Sequence, residues 1–139
     1  MFGKFDLVGL FSKNSKNSEI KHTSQKKKEL RKLVKQKQYD IALKIGLEIL
    51  QKIPEENDVL FIVGGIYYLK NNYSSAISYF EKSLEIGTFD TEVLILKANS
   101  HYHLGENKQA IQCCEKIKEI DPKNKAVSEL LSKIKSAKN

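Results

Sequence analysis

The sequence predicts an all-α fold in which helix pairs stack as a helix-turn-helix repeat superhelix, an α-solenoid. Two observations predict it. Aliphatic residues recur three and four positions apart from about Glu29 onward, and almost no segment alternates as a strand does. The chain also aligns with itself at an offset of 34 residues without a gap, which brings Ala42, Ala76 and Ala110 into register. A helix pair of this length buries its apolar face only against neighbouring pairs.

The charge is unevenly distributed along the 139 residues, whose formal net charge is +7. Residues 1–38 hold eleven basic and three acidic residues, residues 39–122 hold eight and thirteen, and residues 123–139 hold five and one. The positive excess therefore lies at the two ends of a mildly acidic body rather than in a uniform basic patch, and we do not favour a nucleic-acid partner. Apolar residues make up 40% of the chain, but no uncharged stretch approaches the ~20 residues of a membrane-spanning helix.

The first element, residues 1–23, is an apolar segment followed by a polar, lysine-rich stretch. We expect residues 12–28 to be a flexible linker, because Ile20 is their only aliphatic residue. The apolar segment either docks on protein, which we favour, or anchors the chain to a membrane surface with help from the following lysines. The candidate docking residues are Phe2, Phe5, Leu7, Val8, Leu10 and Phe11. The segment does not resemble a signal peptide, so we expect a cytoplasmic protein.

Three helix pairs follow within residues 24–122, at about 23–56, 57–90 and 91–124, and a capping helix occupies residues 124–137. Two paired helices approach closely only where small residues lie at their crossing. Gly64 and the alanines of the repeat supply such residues. In the capping helix an apolar stripe faces the stack and charged residues cover the remaining surface; the stripe is Ala126, Val127, Leu130, Leu131 and Ile134.

The 34-residue unit resembles the tetratricopeptide repeat. The middle copy carries the signature in both helices, at Leu60, Val63, Gly64, Tyr67, Ala76 and Phe80. The third copy keeps Leu94, Ala98, Ala110 and Pro122 but has His101 and Cys114 at aromatic positions. The first copy keeps Leu30, Leu33, Ala42 and Pro54, although Lys26 and Glu29 stand at positions that the family fills with apolar residues.

The resemblance implies a concave groove lined by the first helix of each pair. It also implies that the groove holds a peptide or helix of a partner protein. The groove-facing positions of this chain are Lys27, Arg31, Lys35, Phe61, Tyr68, Leu69, Ile95, Asn99, Tyr102 and His103. The basic residues at one end would suit an acidic partner. An alternative interpretation is that these charges form a solvated helix face and that Phe61 and Ile95 pack between repeats.

Some tetratricopeptide domains bind chaperone C-termini through a clamp of Lys, Asn and Arg residues. Lys27 and Arg31 stand at the first clamp positions of this chain. The remaining positions carry Ile62, Glu92 and Leu96. We therefore expect no binding of chaperone tails.

No catalytic, cofactor-binding or metal-binding constellation is expected. Gly64-Gly65 lies in mid-helix without a following Lys and Ser or Thr, so it is not a phosphate loop. His101 and His103 are two positions apart and point about 200° apart on a helix, which disfavours metal binding. Cys114 shares the interior register of Phe80, whereas we expect Cys113 to be the more exposed and more reactive thiol.

The sequence therefore predicts a non-enzymatic protein–protein interaction module of the adaptor or scaffold type. Two alternatives stay open. A membrane-surface adaptor would use residues 1–28 as its anchor, and a basic nucleic-acid-associated protein would use the N-terminal charge and base-stacking tyrosines.

Overall fold

The computed structural model describes residues 2–87 and 91–138, and the side chains of residues 18–87 and 91–137. These residues form α-helices and no strand. The helices are α1 (Phe2–Lys35), α2 (Tyr39–Lys52), α3 (Asn57–Leu69), α4 (Tyr73–Ile86), α5 (Thr91–His103), α6 (Asn107–Ile120) and α7 (Lys125–Lys138). They divide into two compact units, residues 1–49 and residues 50–139. None of the described helices is both long and apolar enough to cross a membrane.

The first unit contains α1 and most of α2. Leu30 on α1 and Ala42 and Ile49 on α2 are buried. The Nζ atom of Lys26 lies 3.5 Å from Oε2 of Glu48 and links the two helices through a partly exposed ion pair, a kind that contributes about 0–1 kcal/mol. The ion pair is therefore a minor contribution beside the burial of these apolar side chains.

Helix α1 runs through residues 12–28, where the sequence analysis expects a flexible linker. This stretch contains neither Pro nor Gly, and its Lys and Gln residues are good helix formers, so its backbone is compatible with a helix. The side chains of the six proposed docking residues near the N-terminus lie outside the described residues.

The second unit is a stack of helices: α3 pairs with α4, α4 packs on α5, α5 pairs with α6, and α7 lies against α5 and α6. One core cluster forms around Ala76, Phe80 and Val93. A second joins α5, α6 and α7; its buried members are Leu94, Ala98, Ala110, Cys113, Cys114, Ile117, Val127, Leu130 and Ile134. The predicted apolar stripe of the last helix is therefore largely confirmed, although Ala126 is exposed.

The turns within the helix pairs repeat the same backbone conformation at 34-residue intervals. Lys37, Asn71 and Gly105 adopt positive φ angles of 60°, 61° and 78°. After α3, the amide of Asn72 donates to the carbonyl of Tyr67 and that of Asn71 to the carbonyl of Tyr68. These are the two hydrogen bonds of a Schellman motif, which satisfies carbonyl groups that a helix end leaves unpaired. The corresponding bonds occur after α1 and α5.

A hydrogen bond between two polar side chains joins the start of α3 to the last turn of α4. Ser83, which is 3% exposed, donates from Oγ to Oδ1 of Asn57 over 2.6 Å. The equivalent positions of the other repeats are Ile49 and Ile117, both apolar and buried. The hydrogen bond allows a hydroxyl group to occupy this interior position, because a buried polar group without a partner is destabilising.

Candidate interaction surface

An aromatic cluster lies where α3 and α5 end and α4 begins. The ring of Tyr73 stacks on that of His103, with centroids 4.5 Å apart and ring planes 8° from parallel. Tyr68 meets Tyr73 edge to face at 5.6 Å and His103 at 6.4 Å. Tyr102 completes the cluster, with its ring 5.8 Å from that of His103. Such pairs each contribute about 0.5–1.5 kcal/mol beyond the burial of area, so they fix the rings relative to one another.

The cluster is also held by polar interactions and remains accessible. The hydroxyl of Tyr73 donates to Oδ1 of Asn71 over 3.0 Å, which ties the ring to the Schellman turn. Burial and the neighbouring Tyr73 raise the pKa of Tyr68, so its phenol is neutral at pH 7. His103 is exposed, and Tyr68, Tyr73 and Tyr102 are partly exposed. The surface therefore presents accessible aromatic rings.

Tyr73 is the residue of this cluster that the sequence analysis did not identify. It begins the second helix of its pair, whereas the resemblance places the groove positions on first helices only. A signal was present: the alignment at 34 residues places Tyr39, Tyr73 and Asn107 in one register, at the start of each second helix.

The other groove candidates on α3 and α5 differ in their surroundings. Leu69 is 54% exposed and lies beside the aromatic cluster in sequence. Phe61 is partly buried against the core, with its ring 6.3 Å from that of Phe80. Ile95 packs partly against the α5–α7 core, and Asn99 is half-buried. Phe61 and Ile95 therefore contribute to packing, and their role in the groove remains a prediction.

The three basic candidates lie on α1, in the other compact unit. Lys27 is half-buried, and Arg31 and Lys35 are exposed. Lys27 and Arg31 both take part in interactions with other residues. Their participation in a binding surface remains a prediction.

Both cysteines are buried, and Cys113 is the more exposed of the two, as the sequence predicts. Cys113 is 5% exposed and Cys114 is fully buried. Burial raises the pKa of Cys113, and it raises that of Cys114 to about 11. The equivalent Tyr79 is partly exposed, whereas the smaller side chain of Cys113 is almost wholly covered.

The helix pairs, their 34-residue register and the recurring turn define a tetratricopeptide-like repeat protein, a class of protein-interaction fold. The chain belongs to the family described as anaphase-promoting complex, cyclosome, subunit 3, whose model matches residues 35–133. No curated protein matches the chain in sequence.

Solved structures share this fold. The first tetratricopeptide domain of Spaghetti (RPAP3), bound to the HSP90 peptide SRMEEVD, is 19% identical, with a TM-score of 0.76 over 83% of this chain and 91% of that one. The second such domain of human RPAP3, in complex with the HSP70 peptide SGPTIEEVD, is 18% identical, with a TM-score of 0.73 over 79% and 92%. The Yersinia enterocolitica type III secretion translocator chaperone SycD is 16% identical, with a TM-score of 0.75 over 84% and 94%.

These structures show that the exclusion of chaperone tails was wrong. Two of the similar domains are bound to chaperone peptides that end in EEVD. The exclusion rested on Ile62, Glu92 and Leu96, whose identities were compared with a clamp pattern. At 18–19% identity, single positions diverge while the helix arrangement persists, so missing residues at three positions do not exclude a ligand class.

Proposed function

We propose that the chain is a non-catalytic interaction module that binds a peptide or helix of a partner protein along α3 and α5. The observation that carries the proposal is the cluster of Tyr68, Tyr73, Tyr102 and His103, whose rings join the ends of these helices. Two of these rings belong to groove positions one repeat apart. A surface made from successive repeats suits an elongated ligand.

The chemistry of the cluster supports a protein ligand. Tyrosine is enriched at the centres of protein interfaces, because it offers a large rigid apolar face together with a hydroxyl group. The rings are already fixed by one another and by Asn71, so binding requires little further ordering of these side chains. Leu69, which is largely exposed, extends the apolar area. We expect affinities around the micromolar range, on the order of −8 kcal/mol.

Chaperone tails ending in EEVD are the partner class to test first, because similar domains bind them. Such tails are acidic. We propose separately, for the first unit alone, that Lys27, Arg31 and Lys35 contact carboxylates of an acidic partner. Paired cationic and anionic groups would make this part of the affinity sensitive to salt.

The test is fluorescence anisotropy with labelled SRMEEVD and SGPTIEEVD peptides. We expect Tyr68→Ala and Tyr102→Ala each to weaken binding at least tenfold, as losses at interface centres do. Ile120→Ala is the matched control, since Ile120 is 45% exposed but ends α6, away from the groove positions. Each variant is first checked for native helicity by circular dichroism.

Two outcomes would overturn parts of the proposal. If neither peptide binds at low salt, chaperone tails are not the partner class. If a peptide binds equally to the native chain and to both tyrosine variants, the aromatic cluster is not the binding surface.

A further inference from the structure

A solvent-open cavity of about 460 Å³ lies on the second unit, between α4, α5 and α6. Its walls include Glu81 from α4, Lys97 and His101 from α5, and Gln112, Cys113 and Lys116 from α6. His101 and His103 are two positions apart on α5, so their side chains point about 200° apart. The cavity is therefore a different surface from the aromatic cluster that contains His103.

The preceding repeat fills the corresponding positions with a stacked aromatic pair. Tyr67 and Tyr79 have ring centroids 5.6 Å apart and planes 19° from parallel. The Nζ atom of Lys82 lies 4.9 Å from the centroid of Tyr79, as in a cation–π contact. In the middle repeat these positions thus hold two stacked rings, one of which also contacts a lysine.

The shift of 34 residues replaces this layer by smaller groups. His101 stands in the register of Tyr67, Cys113 in that of Tyr79, and Lys116 in that of Lys82. The third repeat therefore lacks the second ring of the stack, because Cys113 replaces the tyrosine. Lys82 lies over the ring of Tyr79, whereas its counterpart Lys116 has Cys113 at the position of that tyrosine. The cavity contains all three of these residues.

Polar and charged side chains form the rest of the cavity wall. His101 is 8% exposed, and its Nδ1 lies 3.4 Å from Oε1 of Glu106, at the start of α6. Lys97 is largely buried and lies 3.6 Å from Oε1 of Glu81. Gln112 is exposed at the rim and can hydrogen-bond to a hydroxyl group. The cavity is thus bounded by an imidazole ring, an ion pair and an amide, together with the carboxylates of Glu115 and Glu119.

We propose that this cavity binds an aromatic side chain, preferably tyrosine, of a protein partner. The inserted ring takes the place that Tyr79 occupies in the preceding repeat, where it can stack on His101 and lie beneath the ammonium group of Lys116. A volume of about 460 Å³ exceeds that of one phenol ring and falls within the usual range of ligand pockets. An aliphatic side chain would fit as well but gain neither the stacking nor the cation–π contact.

The experiment uses the full chain and two probes, p-cresol and the capped tripeptide acetyl-Gly-Tyr-Gly-amide, followed by ¹H–¹⁵N correlation spectra. We expect both probes to shift the amide signals around His101, Cys113 and Lys116. The capped tripeptide with Leu in place of Tyr is the control ligand, and we expect it to bind at least threefold more weakly.

The decisive variant is H101Y/C113Y, which rebuilds the aromatic pair of the preceding repeat and fills the cavity. We expect it to keep its helicity and to lose the binding of both probes. Lys116→Gln, which retains most of the side-chain length without the charge, should weaken binding about two- to fivefold. If H101Y/C113Y does not fold, Cys113→Phe provides the same obstruction with a single change.

Each remaining outcome overturns a defined part of the proposal. Persistent binding in the filled variants, or no shift in the native chain, would show that the cavity is not the site. Equal binding of the leucine tripeptide would exclude an aromatic preference. Binding of p-cresol without the tyrosine tripeptide would assign the cavity to small molecules. None of these results depends on Tyr68 or Tyr102, so a failure here is separate from a failure of the proposed peptide surface.

Discussion

A Cβ atom on Gly64 would lie 2.7 Å from Cε1 of Phe80 and 2.8 Å from its Cδ1. Packed carbon atoms do not approach so closely, so a side chain at this position would have to displace the buried ring. Because Gly64 has no side chain, the ring of Phe80 on α4 can pack directly against the backbone of α3 at this position. The neighbouring Gly65 has no atom within 4 Å of its Cβ position.

Gly64→Ala is therefore expected to lower the free energy of unfolding by about 1–3 kcal/mol, the usual effect of overpacking a core. Gly65→Ala is the matched control. It places the same methyl group on the same helix but in open space, and should raise the free energy of unfolding by about 0.5–1 kcal/mol because Ala has the higher helix propensity. Urea unfolding followed by circular dichroism measures both. Equal effects of the two changes would mean that the contact with Phe80 does not limit the approach of α3 and α4.

The 34-residue register predicted the pairs α3–α4 and α5–α6, and the small residues in it predicted a close approach of the helices at Gly64. The apolar spacing after Pro122 predicted the stripe of α7. The register could not predict the positive φ angles of Lys37 and Asn71, since neither is glycine and the conformation follows from the hydrogen bonds of the Schellman turn. The cavity beside Cys113 was also missed. A register shows which positions are equivalent, whereas a void depends on the combined volumes of the side chains that meet there.

The turn between α5 and α6 gives a second prediction. Gly105 has a φ angle of 78°, in the left-handed region, where a Cβ atom costs roughly 1–2 kcal/mol. Gly105→Ala should therefore lower the free energy of unfolding by about 1 kcal/mol, although nothing lies within 4 Å of its Cβ position. The loss would arise from the backbone alone.

Lys37→Gly tests the same turn in the opposite direction. Lys37 occupies the equivalent position with a φ angle of 60°. Removing its Cβ relieves strain, while glycine's greater freedom in the unfolded chain offsets part of the gain. We expect thermal unfolding to occur at the native temperature or slightly above it. A lower midpoint would indicate that the side chain of Lys37 contributes more than its backbone conformation costs.

The hydrogen bond between Ser83 and Asn57 gives a third prediction. Ser83→Ala and Asn57→Ala should each lower the free energy of unfolding by about 1–2 kcal/mol, because each leaves a polar partner without its hydrogen bond. The double variant should cost less than the sum of the two. A double-mutant cycle with a coupling energy near 1 kcal/mol is expected, and additive effects would show that the 2.6 Å contact carries no specific energy.

The buried thiol of Cys114 predicts a dependence of stability on pH. Its pKa in the folded chain is raised to about 11 from an ordinary value of 9.0, principally by burial. The folded state therefore holds this proton more tightly than the unfolded state does. The resulting stabilisation is fully present below pH 9 and is lost as the pH rises toward 11.

Unfolding by urea at pH 8, 9 and 10, in the presence of a reducing agent, should show a steeper decline of the free energy of unfolding for the native chain than for Cys114→Ala. The other ionisable residues, Cys113 included, are the same in both proteins, so the comparison isolates this thiol. Parallel declines would mean that Cys114 ionises in the folded state as readily as it does in the unfolded chain.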